Sequence, residues 1–163
     1  MGNNRHEFTF VNTQYLYPIY SLPSFIVTVD RTVSIISEFK EKNDFDAIVF
    51  SGYSGSALAF CLSYLLRVPI VCVRKENESS HCSLICEGIC PKKYIIVDDF
   101  IDQGKTIKRI KKEINNEYLA RFTNVLSKTE LKNNKPKLLS IFLYSDEYKE
   151  RLTFKGTPII HTS

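Results

Sequence analysis

The chain has 163 residues, 44% of them hydrophobic, which is enough to bury one core and too little to suggest a second, so residues 1–163 are read as a single domain. Its formal charge of +4 suits an anionic ligand but is modest for a nucleic-acid binder, and no nucleic-acid partner is expected. No run of 18 apolar residues is present to cross a membrane, the start MGNNRHEF has no apolar secretory core, and five cysteines, an odd number, argue against a disulfide framework; a cytoplasmic location is expected.

In chain order, FTFVNTQYLYPIYSL (8–22) is rich in aromatic and β-branched residues and is interrupted by Pro18, which predicts short edge strands or an irregular hairpin. Val29, Val33, Ile36 and Phe39 fall at helical spacing within 24–42 and predict a helix lying on one face of a sheet. DAIVFS (46–51) is a buried strand, Gly52, Tyr53, Ser54 and Gly55 form the loop after it, and 56–66 is the next helix. The two glycines let backbone N–H groups approach a ligand closely. Residues 69–73 form a third strand, ending in Arg74 and Lys75, two cations at the same end of the sheet.

Residues 76–92 (ENESSHCSLICEGICPK) lie between two core strands without sustained periodicity and are read as a flap over a site. Within them His81, Cys82, Cys86 and Cys90 offer one His and three Cys as zinc ligands, but the spacing is not C-x2-C, and Gly88 with Pro91 works against a rigid presentation; free thiols are the expected state.

The stretch that organises the rest is YIIVDDFIDQGKT (94–106). Tyr94 to Val97 is a short buried strand of a parallel sheet, Asp98 and Asp99 follow at its end, and Thr106 opens a run with Ile107, Ile110 and Ile114 on one helical face. The carboxylates offer acceptors for hydroxyls or a hydrated divalent cation. The N–H groups of Gln103, Gly104, Lys105 and Thr106, the Thr106 hydroxyl and the helix N-terminus form a phosphate cradle. A ribose 5-phosphate satisfies both. Gly104-Lys105-Thr106 also spells the end of a nucleotide-triphosphate loop, but that motif needs glycine where Asp99 stands.

After this helix, which is expected to run in pieces to Ser127, 128–137 reads as a polar surface loop, 138–144 as another strand and TFKGTPIIHTS as a short β-like tail. Lys108 to Lys112, with Arg109 among them, reads as a solvated helix face. Alternating strands and helices predict an α/β, doubly wound, mostly parallel sheet with a small cap.

The thirteen-residue stretch resembles the phosphoribosyl-diphosphate (PRPP) signature of the type I phosphoribosyltransferases: apolar strand, two acids, loop, Gly-x-Thr. Weaker matches point toward the orotate branch. GYSGSALA (52–59) is similar to its diphosphate loop, RKE followed by His81 to its mobile catalytic loop, and the segment leading to Pro18 and Tyr20 to its first hood motif. Ser54 stands where that branch usually has lysine, the flap carries glutamates where it has a second lysine, and DDFIDQGKT is closer to the 6-oxopurine enzymes, in which an acid at the position of Asp102 lies near the purine ring.

The resemblance implies a five-stranded sheet with an N-terminal hood formed by residues 1–22 and the C-terminal tail. It implies a Mg2+-dependent homodimeric pentosyltransferase moving ribose 5-phosphate from PRPP to an orotate-like or purine base, with diphosphate released. Asp98 and Asp99 would hold the ribose and, through it, Mg-PRPP; Gln103 to Thr106 would take the 5-phosphate. Ser51, Gly52, Tyr53, Ser54, Gly55 and Arg74 would take the diphosphate, with Asp102, Lys75 and His81 assisting catalysis. A PRPP-binding regulator without turnover is the alternative.

Overall fold

The computed structural model describes residues 20–75, 84–145 and 153–163. Helix α1 (Leu22–Lys42) leads into β1 (Ala47–Phe50), α2 (Gly52–Leu66) and β2 (Ile70–Val73). Then come β3 (Cys86–Gly88), β4 (Lys93–Asp98), α3 (Lys105–Phe122), the short α4 (Lys128–Asn133), β5 (Lys137–Leu143), β6 (Thr153–Phe154) and β7 (Thr157–His161). One sheet runs in the order β3-β2-β1-β4-β5-β7-β6. The strands from β2 to β7 pair parallel, and the edge strands β3 and β6 pair antiparallel.

Strict alternation along the central strands divides the core between the two faces of the sheet, as the period of two requires. Val49, Val73, Tyr94, Ile96, Ile141 and Leu143 pack with Ile107, Ile110 and Ile114 of α3. Ile48, Phe50, Ile95, Val97 and Phe142 pack on the other face with Val29 and Ile36 of α1 and Leu58, Ala59 and Leu62 of α2. Helices on both faces of a mostly parallel sheet make the architecture doubly wound, as the pattern predicts.

Several expectations need correction. The sheet has seven strands among the described residues, not five, because short edge segments add on both sides. On one side Cys86–Gly88, inside the expected flap, pairs with β2 through Val73↔Cys86, Cys72↔Glu87 and Val71↔Gly88. On the other, the tail extends the sheet rather than forming a hood: β7 lies beside β5, with Ile141↔Ile159, Phe142↔Ile160 and Leu143↔His161 in register. The expected loop 128–137 contains α4, which Ser127 and Glu130 nucleate through a reciprocal capping box. Helix α3 is one unbroken helix that ends at Phe122. The hood segment 1–19 and the flap residues 76–83, His81 and Cys82 included, lie outside the described residues.

Candidate active site

The carboxyl ends of β1, β2 and β4 meet along one edge, and a cleft of about 540 Å³ opens there. Ser51, Tyr53, Ser54, Lys75 and the continuous run from Asp98 to Ile107 line it. Open parallel sheets place ligands at this edge because the loops that follow adjacent strands converge on it.

Asp98 is the last residue of β4, paired in register with Leu143, and its carboxylate is therefore held at the sheet rather than on a free loop. Asp98 and Asp99 are 5% and 7% exposed, an unusual burial for two adjacent acids. The first accepts at Oδ1 from the Asp99 N–H (3.1 Å) and from the Ser54 hydroxyl (3.4 Å); the second accepts from the Phe100 N–H (2.9 Å). Burial pushes the Asp98 carboxyl well above the usual range, and the neighbouring Asp99 charge and hydrogen bonding between the two side chains push the same way. A cation brought to the pair favours its fully ionised state, in which both carboxylates accept from hydroxyls or bind positive charge. Both groups are hard oxygen donors of the kind Mg2+ prefers, so the residues fit a Mg-bound sugar phosphate.

Past the acids, Gly104 turns the chain with φ 67° directly into α3, which has no acid in its first turn and no side-chain cap. Only glycine takes that conformation without strain. The first-turn N–H groups are thus unclaimed by any capping side chain, and Gly104 to Ile107 line the cleft, an arrangement that suits a phosphate. Opposite Gly104 sits the ring of Phe154 from β6, and a Cβ at this position would run into it.

The turn after β1 differs from the expected loop. Gly52 (φ 74°) already begins α2, so Ser51 is the last extended residue and Tyr53, Ser54 and Gly55 belong to the first helical turn. A positive-φ glycine lets an extended strand enter a helix without an intervening loop. Lys75 lies across this turn: a Cβ on Gly52 would stand 2.7 Å from its Cε and 2.9 Å from its Nζ. The Ser54 carbonyl accepts from the Tyr144 hydroxyl at 2.6 Å, and Ser51 Oγ accepts from Arg109 Nη2 at 2.6 Å.

The structure thus brings together Ser51, Tyr53, Ser54, Lys75, Asp98, Asp99, Asp102, Gln103, Gly104, Lys105 and Thr106, with the buried Gly52 and Gly55 shaping the turn. It does not bring Arg74 to the cleft lining. That side chain turns to the β3 edge, where its guanidinium donates to the Leu84 carbonyl and pairs with Glu87 at 3.0 Å. The pairing of β3 with β2 puts the carboxylate within reach, a consequence of the unforeseen strand. Among the described residues no group of three or more His, Cys, Asp and Glu side chains could hold a metal ion by itself, and Cys86 is buried in the core. Sequence reasoning missed Arg109, Tyr144 and Phe154.

No protein-family model matches the sequence, and no curated protein matches it. Solved structures do. UMP synthase of Leishmania donovani superposes with a TM-score of 0.57 at 18% identity over 86% of this chain, which spans only 27% of that longer protein. Orotate phosphoribosyltransferase from Aeropyrum pernix gives 0.57 at 16% identity, covering 94% of this chain and 77% of its own. Adenine phosphoribosyltransferase from Saccharomyces cerevisiae, complexed with an imino-altritol bisphosphate and adenine, gives 0.60 at 18% identity, covering 88% and 80%. The chain has the type I phosphoribosyltransferase fold.

Proposed function

We propose that this protein is a Mg2+-dependent phosphoribosyltransferase that moves ribose 5-phosphate from PRPP onto a ring nitrogen of an orotate-like or purine base and releases diphosphate. The observation that carries the reading is the adjacency, in one cleft, of a buried acid pair and an uncapped helix start entered through a positive-φ glycine. Asp98 and Asp99 would hold the ribose hydroxyls and the metal that travels with PRPP; Gly104 to Thr106 would hold the 5-phosphate. Bound Mg2+ would supply positive charge to the diphosphate as it leaves. Lys75, lying over Gly52, is placed to meet the same group. Positive charge develops at the ribose carbon during transfer, so the chain's part is to position and to stabilise charge. The exposed Asp102 at the cleft mouth is a candidate for contact with the base.

A homodimer suits this reading. Tyr53, Phe60 and Tyr64 form an exposed stripe along one side of α2, 65%, 60% and 67% exposed, where a second copy could pack; light scattering of the purified chain tests it.

One observation favours a second reading, a PRPP binder without turnover. Arg74, a cation expected at the diphosphate, is engaged by Glu87 and Leu84 instead. Incubation with PRPP, Mg2+ and a panel of pyrimidine and purine bases, followed by a diphosphate assay, separates the two. Base-dependent diphosphate release is the expected result. Thermal stabilisation by PRPP with no release for any base would favour the binder, and neither response would overturn both.

A further inference from the structure

The run of cations on α3 reads in sequence as a solvated face, yet one member leaves it. Arg109 is half-buried, and its Nη2 donates to Ser51 Oγ at 2.6 Å. Ser51 in turn donates to the carbonyl of Val73, the last residue of β2, at 2.5 Å. A chain of hydrogen bonds therefore runs from α3 through Ser51 to the end of β2, fixing the residue that immediately precedes the turn into α2. The Tyr144 hydroxyl holds Ser54 in the same turn.

The electrostatics of Arg109 are unusual for a residue in this setting. Its Nε is buried without a hydrogen-bond partner, and no carboxylate pairs with its guanidinium among the described residues. A half-buried arginine ordinarily has an acid beside it, because an uncompensated charge away from water is costly. Here the cation stands behind Ser51, while Lys75 lies over Gly52 on the cleft side. Two cations from different elements thus flank the start of α2, whose first turn contains no acid and no side-chain cap. Hydrogen bonds to Ser51 and Ser54 hold the turn, and the two cations make it favourable for an anion.

We infer that Arg109 is a positioning residue for the diphosphate end of the substrate: through Ser51 it fixes the first turn of α2 and supplies that turn with unneutralised positive charge. The inference rests on the reading of the cleft as a PRPP site. It assigns the task to a helix on the opposite face of the sheet from α2. It also predicts that the two ends of the substrate respond differently. Among the described residues no hydrogen bond joins the Arg109 side chain to Gly104–Thr106, whereas one joins it to Ser51.

The test uses the full chain with Mg2+ and three probes measured separately by calorimetry: PRPP, inorganic diphosphate and ribose 5-phosphate. Arg109→Ala should weaken diphosphate and PRPP by roughly tenfold to a hundredfold, the range for a lost charge-assisted hydrogen bond, and leave ribose 5-phosphate within about twofold. Ser51→Ala, which keeps the guanidinium, guards against misfolding of the first variant and should show the same selectivity with a smaller loss. Arg109→Lys, which restores the charge without the planar fork, should recover part of the diphosphate affinity. Equal losses for diphosphate and ribose 5-phosphate would reduce Arg109 to a packing role, and unchanged diphosphate affinity in both alanine variants would remove it altogether. If the wild-type chain takes up none of the three probes, the cleft reading falls first and this inference with it.

Discussion

Gly104 carries two constraints, and replacing it with alanine tests both. Its φ of 67° lies in the left-handed region, where an L side chain costs about 1–2 kcal/mol. A Cβ there would also overlap Phe154, meeting Cε2 first, with Cζ at 3.0 Å and Cδ2 at 3.2 Å. Phe154 is 7% exposed and packed in the core that includes Ile101 and Ile107, so the ring cannot swing into solvent without giving up that packing. Overpacking of this kind costs about 1–3 kcal/mol. Gly104→Ala should therefore destabilise the fold by about 2–5 kcal/mol, a drop in Tm on the order of 10 °C for a chain of this size. Urea unfolding followed by circular dichroism measures it. Phe154→Ala removes the ring that the new methyl would strike, so the double variant should lose less than the sum of the singles, by about 1–3 kcal/mol. The strain component should persist. A neutral Gly104→Ala, or strictly additive losses, would refute the claimed contact between the Phe154 ring and the turn at Gly104.

Other outcomes follow from the same geometry. Because burial and the Asp99 charge raise the Asp98 carboxyl, the folded state keeps a proton that the unfolded chain has already shed between the ordinary aspartate value and the raised one. Stability should therefore fall as pH rises through that window. Asp98→Asn should flatten the dependence and make the ligand-free chain more stable at neutral pH while weakening PRPP binding; thermal melts across pH, with and without PRPP, check both halves. Cys86 is buried, and burial with the nearby Glu117 and Glu113 charges pushes its thiol up to about 12. It should resist iodoacetamide at pH 8 in the folded chain and react once urea unfolds it, as read by peptide mass spectrometry.

Much of the architecture was legible in the sequence because it is written in periods. The stripe of Ile107, Ile110 and Ile114 and the apolar runs at 47–50 and 94–97 state their burial directly, and the helices flanking the sheet follow from them. The acid pair and the glycine turn into α3 were legible because they are contiguous in the chain. The misses share a physical cause, which is separation in sequence. Strand β3 is three residues long and exists through pairing with β2, so local pattern carries no signal for it or for the ion pair it brings between Arg74 and Glu87. Phe154 meets Gly104, and Tyr144 meets Ser54, only after the sheet has formed. For Arg109 one faint signal existed: an arginine among lysines, next to the buried Ile110, at the edge of the helix's apolar stripe.

The most direct test of the account is a calorimetric titration of the wild-type chain with PRPP in the presence of Mg2+, run beside a chain carrying Asp98→Asn and Asp99→Asn. Saturable uptake by the wild type and a loss of at least about a hundredfold in the double variant is the predicted result, as expected when hydrogen bonds to two charged groups are removed. Absence of uptake by the wild type, or equal affinity in the two chains, would contradict the claim that the acid pair and the neighbouring helix start together grip a phosphorylated sugar.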